Sequence, residues 1–332
     1  MKFKKHEESF NPEKSVSMEN NSEILFPEPL KKGDKIALIS PASAVKPEYV
    51  TIAMEKIIDR GYEPLLMPSA LGHVDGSFAA PKADRIIDLL DALENDELKA
   101  ILCTRGGYGC SQLLANISSS MVARNPKWLI GFSDISALLA LWCRSGIASI
   151  HGPMAKHIAT MPDDDPCTLA LFNLLENGGR FDYKVSTHEY NRKGKAEGIL
   201  RGGNLAVLND IADTPSDILN VKPDEDVILF FEDINEPIYK VNRMLYRLIN
   251  SGALLSVKGI VFGQFTDYKP DANFASMEEM LHSLMDMTNI PNDIPIAYNF
   301  PVGHTDVNLP LTEGAKVELN VDESFVSLRS LH

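Results

Sequence analysis

Between residues 35 and 151 short apolar runs alternate with amphipathic ones. "KIALIS" (35–40), "YEPLLM" (62–67), "KAILC" (99–103), "WLIGF" (128–132) and "IASI" (147–150) are too short for buried helices and read as strands. The intervening segments carry helical spacing. In "PEYVTIAMEKIIDRG" the apolar positions are Val50, Ala53, Met54, Ile57 and Ile58, and Gly61 closes the run. "PKADRIIDLLDALEND" opens on a proline suited to a first helical turn and sets Ile86, Leu89, Leu90 and Leu93 on one face. "CSQLLANI" reads as a short helix, and "DISALLALWCRSG" as a helix ended by Gly146. Strand–helix alternation with nearly continuous apolar strands predicts a parallel sheet covered on both faces, over about 30–160.

The pattern weakens over 161–195, where "MPDDDP" and "ENGGRFDYKVSTHEYNRKGK" read as surface and linker. It resumes over 196–332. Strands are predicted at "AEGILRG", "VILFFE", "KGIVFGQF", "IPIAYN", "AKVELN" and "FVSL", and helices at "NLAVLNDIAD", "IYKVNRMLYRLINSG" and "SMEEMLHSLMDMT". The expected fold class is therefore α/β: an N-terminal parallel-sheet domain, flavodoxin- or Rossmann-like, followed by a mixed α/β domain. Residues 1–29 are polar and aperiodic, and are expected to be a tail.

Composition narrows the function. The chain has 332 residues and a net charge of −14, which argues against a nucleic-acid surface but leaves room for a locally basic pocket. No run reaches the roughly 18 apolar residues of a membrane span, and the N-terminal segment lacks the apolar core of a signal peptide. The cysteines at 103, 110, 143 and 167 form no C-x-x-C pair, so a reducing compartment fits better than a disulfide scaffold. No histidine spacing suggests a metal site, and neither metal nor cofactor is expected.

Four places could carry chemistry. Ser133 follows the strand "WLIGF" and precedes a helix. It is either an N-cap, as Asp134 could also be, or a nucleophile presented at the carboxyl end of a sheet, where α/β folds bind ligands. The segment is not a G-x-S-x-G elbow. "TRGGYG" (104–109) ends the neighbouring strand; it is a simple turn or, beside Ser133, a source of a backbone N–H for an oxyanion, with Gly107 the first choice. Glu232 ends "VILFFE", with Asp233 and Glu236 as competitors and a solvated acidic turn as the plainer reading. His304 lies in the Gly- and Pro-bracketed loop "FPVGHTDVNLPL"; His151, at the end of a strand in "HGP", is its rival. A serine hydroxyl needs a base, and an imidazole needs an acid to hold its tautomer, so Ser133, His304 and Glu232 form a consistent set.

Six segments in order, "RGGYG", "GFSDISALL", "HGPM", "RGGNLAVL", "FFEDINEPIYKVNRML" and "FPVGHTDVNLPL", resemble the L,D-carboxypeptidase family of serine peptidases. That family includes muramoyl-tetrapeptide carboxypeptidases and microcin-immunity peptidases, and the resemblance spans about residues 30–328. It implies a catalytic Ser133–Glu232–His304 triad and an oxyanion hole from the N–H groups of Asp134 and Gly107. It also implies a cytoplasmic homodimer without metal, acting on a small murein peptide to release D-alanine. Aminoacyl-nucleotide conjugates are the alternative substrate. Arg105, Arg201 and Asn204 are candidates for the substrate's terminal carboxylate. Ser136 stands where the family often has Thr, and "SPAS" (40–43) varies the family's "APSS".

Overall fold

The structure, a computed structural model, describes residues 24–71 and 74–332. Most of the expected tail, residues 1–23, lies outside it, as does His73. Residues 24–29 are docked against the first domain. Leu25 exchanges backbone hydrogen bonds with Gly146 and Ala148, and the Trp128 indole donates to the Glu28 carbonyl.

The first domain is built on β1 (Lys35–Ile39), β2 (Glu63–Leu66), β3 (Leu98–Cys103), β4 (Trp128–Gly131) and β5 (Ser149–His151). These are parallel, in the order β5-β4-β3-β1-β2. Helices α1 (Pro47–Asp59), α2 (Lys82–Glu94), α3 (Ser119–Arg124) and α4 (Ser136–Arg144) fall between the strands. This is the doubly wound order whose switch point opens between β1 and β3. The predicted helix at 110–117 is instead two single 3₁₀ turns.

The segment expected as linker is structured. It holds α6 (Pro166–Glu176), which follows α5 (Ala155–Thr160), and then β6 (Asp182–Ser186). Pro166 occupies the first turn of α6, and the Asp165 carboxylate accepts the Thr168 N–H as its cap.

The second domain contains β7 (Gly194–Asn204), α7 (Leu205–Asp210), β8 (Val227–Ile234), α8 (Ile238–Asn250), β9 (Gly259–Thr266), α9 (Met277–Met287) and β10 (Ile296–Ala297). Then come β11 (Leu311–Glu313), β12 (Lys316–Val321) and β13 (Phe325–Ser330). The sheet order is β10-β9-β8-β7-β12-β13-β6. The half from β7 to β10 is parallel and the half from β12 to β6 antiparallel, so the sheet is mixed.

Strand β11 leaves its own domain and pairs antiparallel with β5. The chain thereby ties the two sheets together, and an apolar core that includes Leu138, Trp142, Leu205 and Phe231 is continuous across them. The carboxyl ends of β3, β4 and β5 on one side, and those of β7 and β8 with the loop after β10 on the other, carry the candidate residues.

Candidate active site

Ser133 sits in the first residue of a 3₁₀ turn between β4 and α4, at φ +63°. Left-handed backbone is costly for a residue with a Cβ, about 1–2 kcal/mol, and it marks a turn held by its surroundings. Two glycines permit that turn. A Cβ on Gly131 would lie 2.8 Å from Ile135, and one on Gly106 would lie 2.8 Å from the Ser133 Cβ. Neither Ser133 nor Asp134 caps the helix: the cap positions are Phe132 and Ile135, and neither makes a side-chain cap bond. The Asp134 carboxylate instead accepts the Cys110 N–H at 2.8 Å and so anchors the "RGGYG" loop. Burial raises the pKa of that carboxyl above its ordinary value.

The same loop is fixed from its other side. The Ser43 Oγ accepts the Tyr108 N–H, and a Cβ on Gly107 would collide with Ser43. Arg85, buried beneath, donates to the carbonyls of Pro41, Ala80 and Gly109. Gly107 therefore has no room to become another residue, and its φ of +115° favours glycine in any case. Gly106, which packs directly on Ser133, was not singled out from the sequence, where "GG" does not say which glycine faces the serine.

Glu232 is completely buried near the end of β8. The β8–β9 register slips between Phe231 and Asp233: two steps along β8 match three along β9. Such a bulge re-aims side chains beside a site. It also lets the next loop dock, since the Gln264 N–H bonds the Val302 carbonyl and Gly263 lies too close to Val302 for any Cβ. In that loop Gly303, at φ +125°, passes so near Glu232 that a Cβ would lie 2.8 Å from the Glu232 Cβ. The glycine thus brings the following residue, His304, onto the carboxylate. His304 Nδ1 and Glu232 Oε2 are 2.6 Å apart, and the imidazole ring lies 4.9 Å from Phe132, the neighbour of Ser133.

Burial opposes the charge of Glu232, but the imidazoles of His304 and His151 outweigh it and hold the pKa down at about 2. Burial likewise opposes a charge on His304, yet Glu232 overrides it and raises the imidazole above its ordinary value. Asp233 goes the other way: burial first, then the adjacent Glu232 charge, push it up to about 7. The two neighbouring carboxyls are thus driven apart, with Glu232 the anion beside His304. Asp233 accepts the Ala206 N–H and the Asn204 amide, so it braces the start of α7. Glu236, the other competitor, is paired with Lys240.

The substrate-anchor candidates divide. Arg201 pairs with Glu225 at 3.0 Å, and its alkyl–guanidinium chain runs beside Cys143, so its charge is already used. Asn204 is the N-cap of α7 and accepts the Val207 N–H. Its own N–H donates to Ser136 Oγ at 3.0 Å, a bond between the domains that a threonine hydroxyl could equally accept. Arg105 is half-buried on the "RGGYG" loop and donates to the Ala44 carbonyl. Among the three it is the one not joined to a carboxylate.

A doubly wound sheet presenting a serine on a strained strand–helix turn, with a buried glutamate of the second sheet and its histidine partner packed on the adjacent Phe132, has the layout of a serine hydrolase. Comparison with known proteins gives the family. Residues 36–152 match the LD-carboxypeptidase N-terminal domain and residues 197–319 the LD-carboxypeptidase C-terminal domain. The chain is 31% identical over 300 residues to a probable murein peptide carboxypeptidase of Bacillus subtilis, covering 90% of this chain and 92% of that one. It superposes on the crystal structure of muramoyltetrapeptide carboxypeptidase from Oxalobacter formigenes with a TM-score of 0.78 at 30% identity, covering 90% and 99% of the two chains. The microcin C7 self-immunity protein MccF of Escherichia coli is 25% identical over 342 residues, covering 92% and 96%. The chain belongs to the LD-carboxypeptidase family.

Proposed function

We propose that this protein is a serine carboxypeptidase that hydrolyses the L,D-amide bond of murein tetrapeptide and releases the terminal D-alanine. The observation that carries the reading is the 2.6 Å contact between His304 Nδ1 and the buried Glu232, packed on Phe132 beside Ser133. Glu232 holds the imidazole in the tautomer that leaves Nε2 unprotonated. His304 takes the hydroxyl proton as Ser133 attacks the scissile carbonyl. The tetrahedral oxyanion is met by the N–H groups of Asp134 and Gly107; one such donor is worth about 3 kcal/mol of barrier. D-Alanine leaves with the proton from His304. Water, deprotonated by the same imidazole, then hydrolyses the acyl-enzyme and frees Ser133.

Arg105 receives the substrate's terminal carboxylate in this reading, because its charge is not committed to an acid, unlike that of Arg201. Action in the cytoplasm as a homodimer follows from the family reading. It is compatible with the finding that, among the described residues, no helix is long and apolar enough to cross a membrane.

The test is incubation with murein tetrapeptide and, separately, with an aminoacyl-nucleotide conjugate, followed by mass spectrometry. Tripeptide and D-alanine are expected. Intact tetrapeptide together with cleavage of the conjugate would replace this substrate with the alternative one.

A further inference from the structure

His151 ends β5 with no exposed surface, and neither of its ring nitrogens has a hydrogen-bond partner. Glu232 Oε1 is buried and unpartnered too, and lies 3.8 Å from His151 Nε2. A buried polar atom left without a partner is costly, and here a donor and an acceptor in that condition face each other. The gap is about 0.8 Å longer than an ordinary N–H···O bond.

The surroundings let the ring do little else. From β7 and β8 it is met by Gly203 and Phe230, the latter edge-on at 5.1 Å, while the His151 backbone pairs with Gly131 of β4 and Leu311 of β11. Phe132 lies 5.7 Å away, and Glu232 is the charged group that faces the ring. His304, by contrast, also feels Asp233 and Asp267.

We propose that His151 is a positioning residue that donates its Nε2–H to Glu232 Oε1 and so latches the acid of the second domain to the domain that carries Ser133. The carboxylate then has one oxygen on each imidazole. Its plane is fixed, and Oε2 is held on His304 Nδ1. The latch also draws off part of the carboxylate's charge, which tempers the basicity of His304. This inference rests on the reading of Ser133, His304 and Glu232 as the reacting groups.

The test compares His151→Phe, which keeps a ring but no donor, with His151→Gln and His151→Asn in the full chain. A glutamine amide reaches the Nε2 position, whereas an asparagine amide stops near Nδ1. With murein tetrapeptide, His151→Phe is expected to lower kcat by about 10²-fold with KM unchanged, because the base is misplaced and the substrate is not touched. The acidic limb of kcat/KM is expected to move to higher pH, since Glu232 then acts on His304 alone. His151→Gln should restore both, and His151→Asn neither.

Proton–nitrogen NMR of histidine-labelled protein reads the same contact without substrate: the His304 Nδ1–H resonance should shift in His151→Phe and return in His151→Gln. If wild-type protein leaves tetrapeptide intact, the functional reading fails, and the NMR comparison still decides the latch. An unmoved resonance or pH limb in His151→Phe overturns it. If that variant does not fold, equal behaviour of His151→Gln and His151→Asn overturns it.

Discussion

The first sheet presents Ser133 by bending backbone; the second presents Glu232 by burying charge. Ser133 is presented, half-buried, at the turn because φ is +63° and because Gly106 and Gly131 leave space around it. Glu232 has no exposure at all and is kept ionised by imidazoles. The cost on the first side is local strain, which does not depend on pH. On the second side it is desolvation, repaid only while His304 and Glu232 are paired. One half of the site should therefore answer to backbone changes and the other to charge and pH.

The largest effect expected is on the charged side. Glu232→Gln keeps the shape but can donate to His304 Nδ1 and favour the wrong tautomer, so kcat should fall by about 10⁴-fold. D-alanine release measures it. Stability should follow pH on the same side. The pKa of Glu232 is lowered in the folded protein, so its contribution is present above the ordinary value of 4.5 and is lost as pH falls toward about 2. That loss amounts to about 3 kcal/mol, and denaturant titrations at successive pH values should show it in wild-type protein but not in Glu232→Gln. His304 is raised, so its contribution is complete below its ordinary value of 6.5 and is lost as pH rises through the higher folded value. Activity needs the neutral imidazole, which places the acidic limb of kcat/KM above 6.5.

On the backbone side, Gly106→Ala would press a methyl group onto Ser133 and displace its hydroxyl, at an expected cost of about 10²-fold in kcat. Its pH–stability curve should match that of the wild type in shape. The smallest effect separates strain from chemistry: Ser133→Gly should abolish turnover yet raise stability by about 1 kcal/mol, because glycine accepts the left-handed turn. Thermal unfolding measures it. A destabilised Ser133→Gly would break the contrast between the two domains.

This asymmetry also governs what could be read from the sequence. Strand ends and glycines are local features, so the strands before Ser133 and at Glu232 and the loop of His304 were visible, and the six matching segments joined them. The strands of the first sheet and their parallel direction followed from its apolar runs and the helices between them; their order did not, because it is set by which strands pair in space. Helix α6 was missed because "PCTLALFNLLE" is apolar around most of its circumference and shows little helical period. Strand β11 is three residues long and is defined by its partner in the other domain. The roles of Arg201 and Asn204 depend on Glu225 and Asp233, which come from other parts of the chain, and no spacing announces such pairings.

In the proposed function Ser133 is the nucleophile and the Glu232–His304 pair serves it. The most direct test of that reading is D-alanine release from murein tetrapeptide by a Ser133→Ala variant shown to be folded. A fall of at least about 10³-fold relative to wild type is expected. Release at the wild-type rate would contradict it.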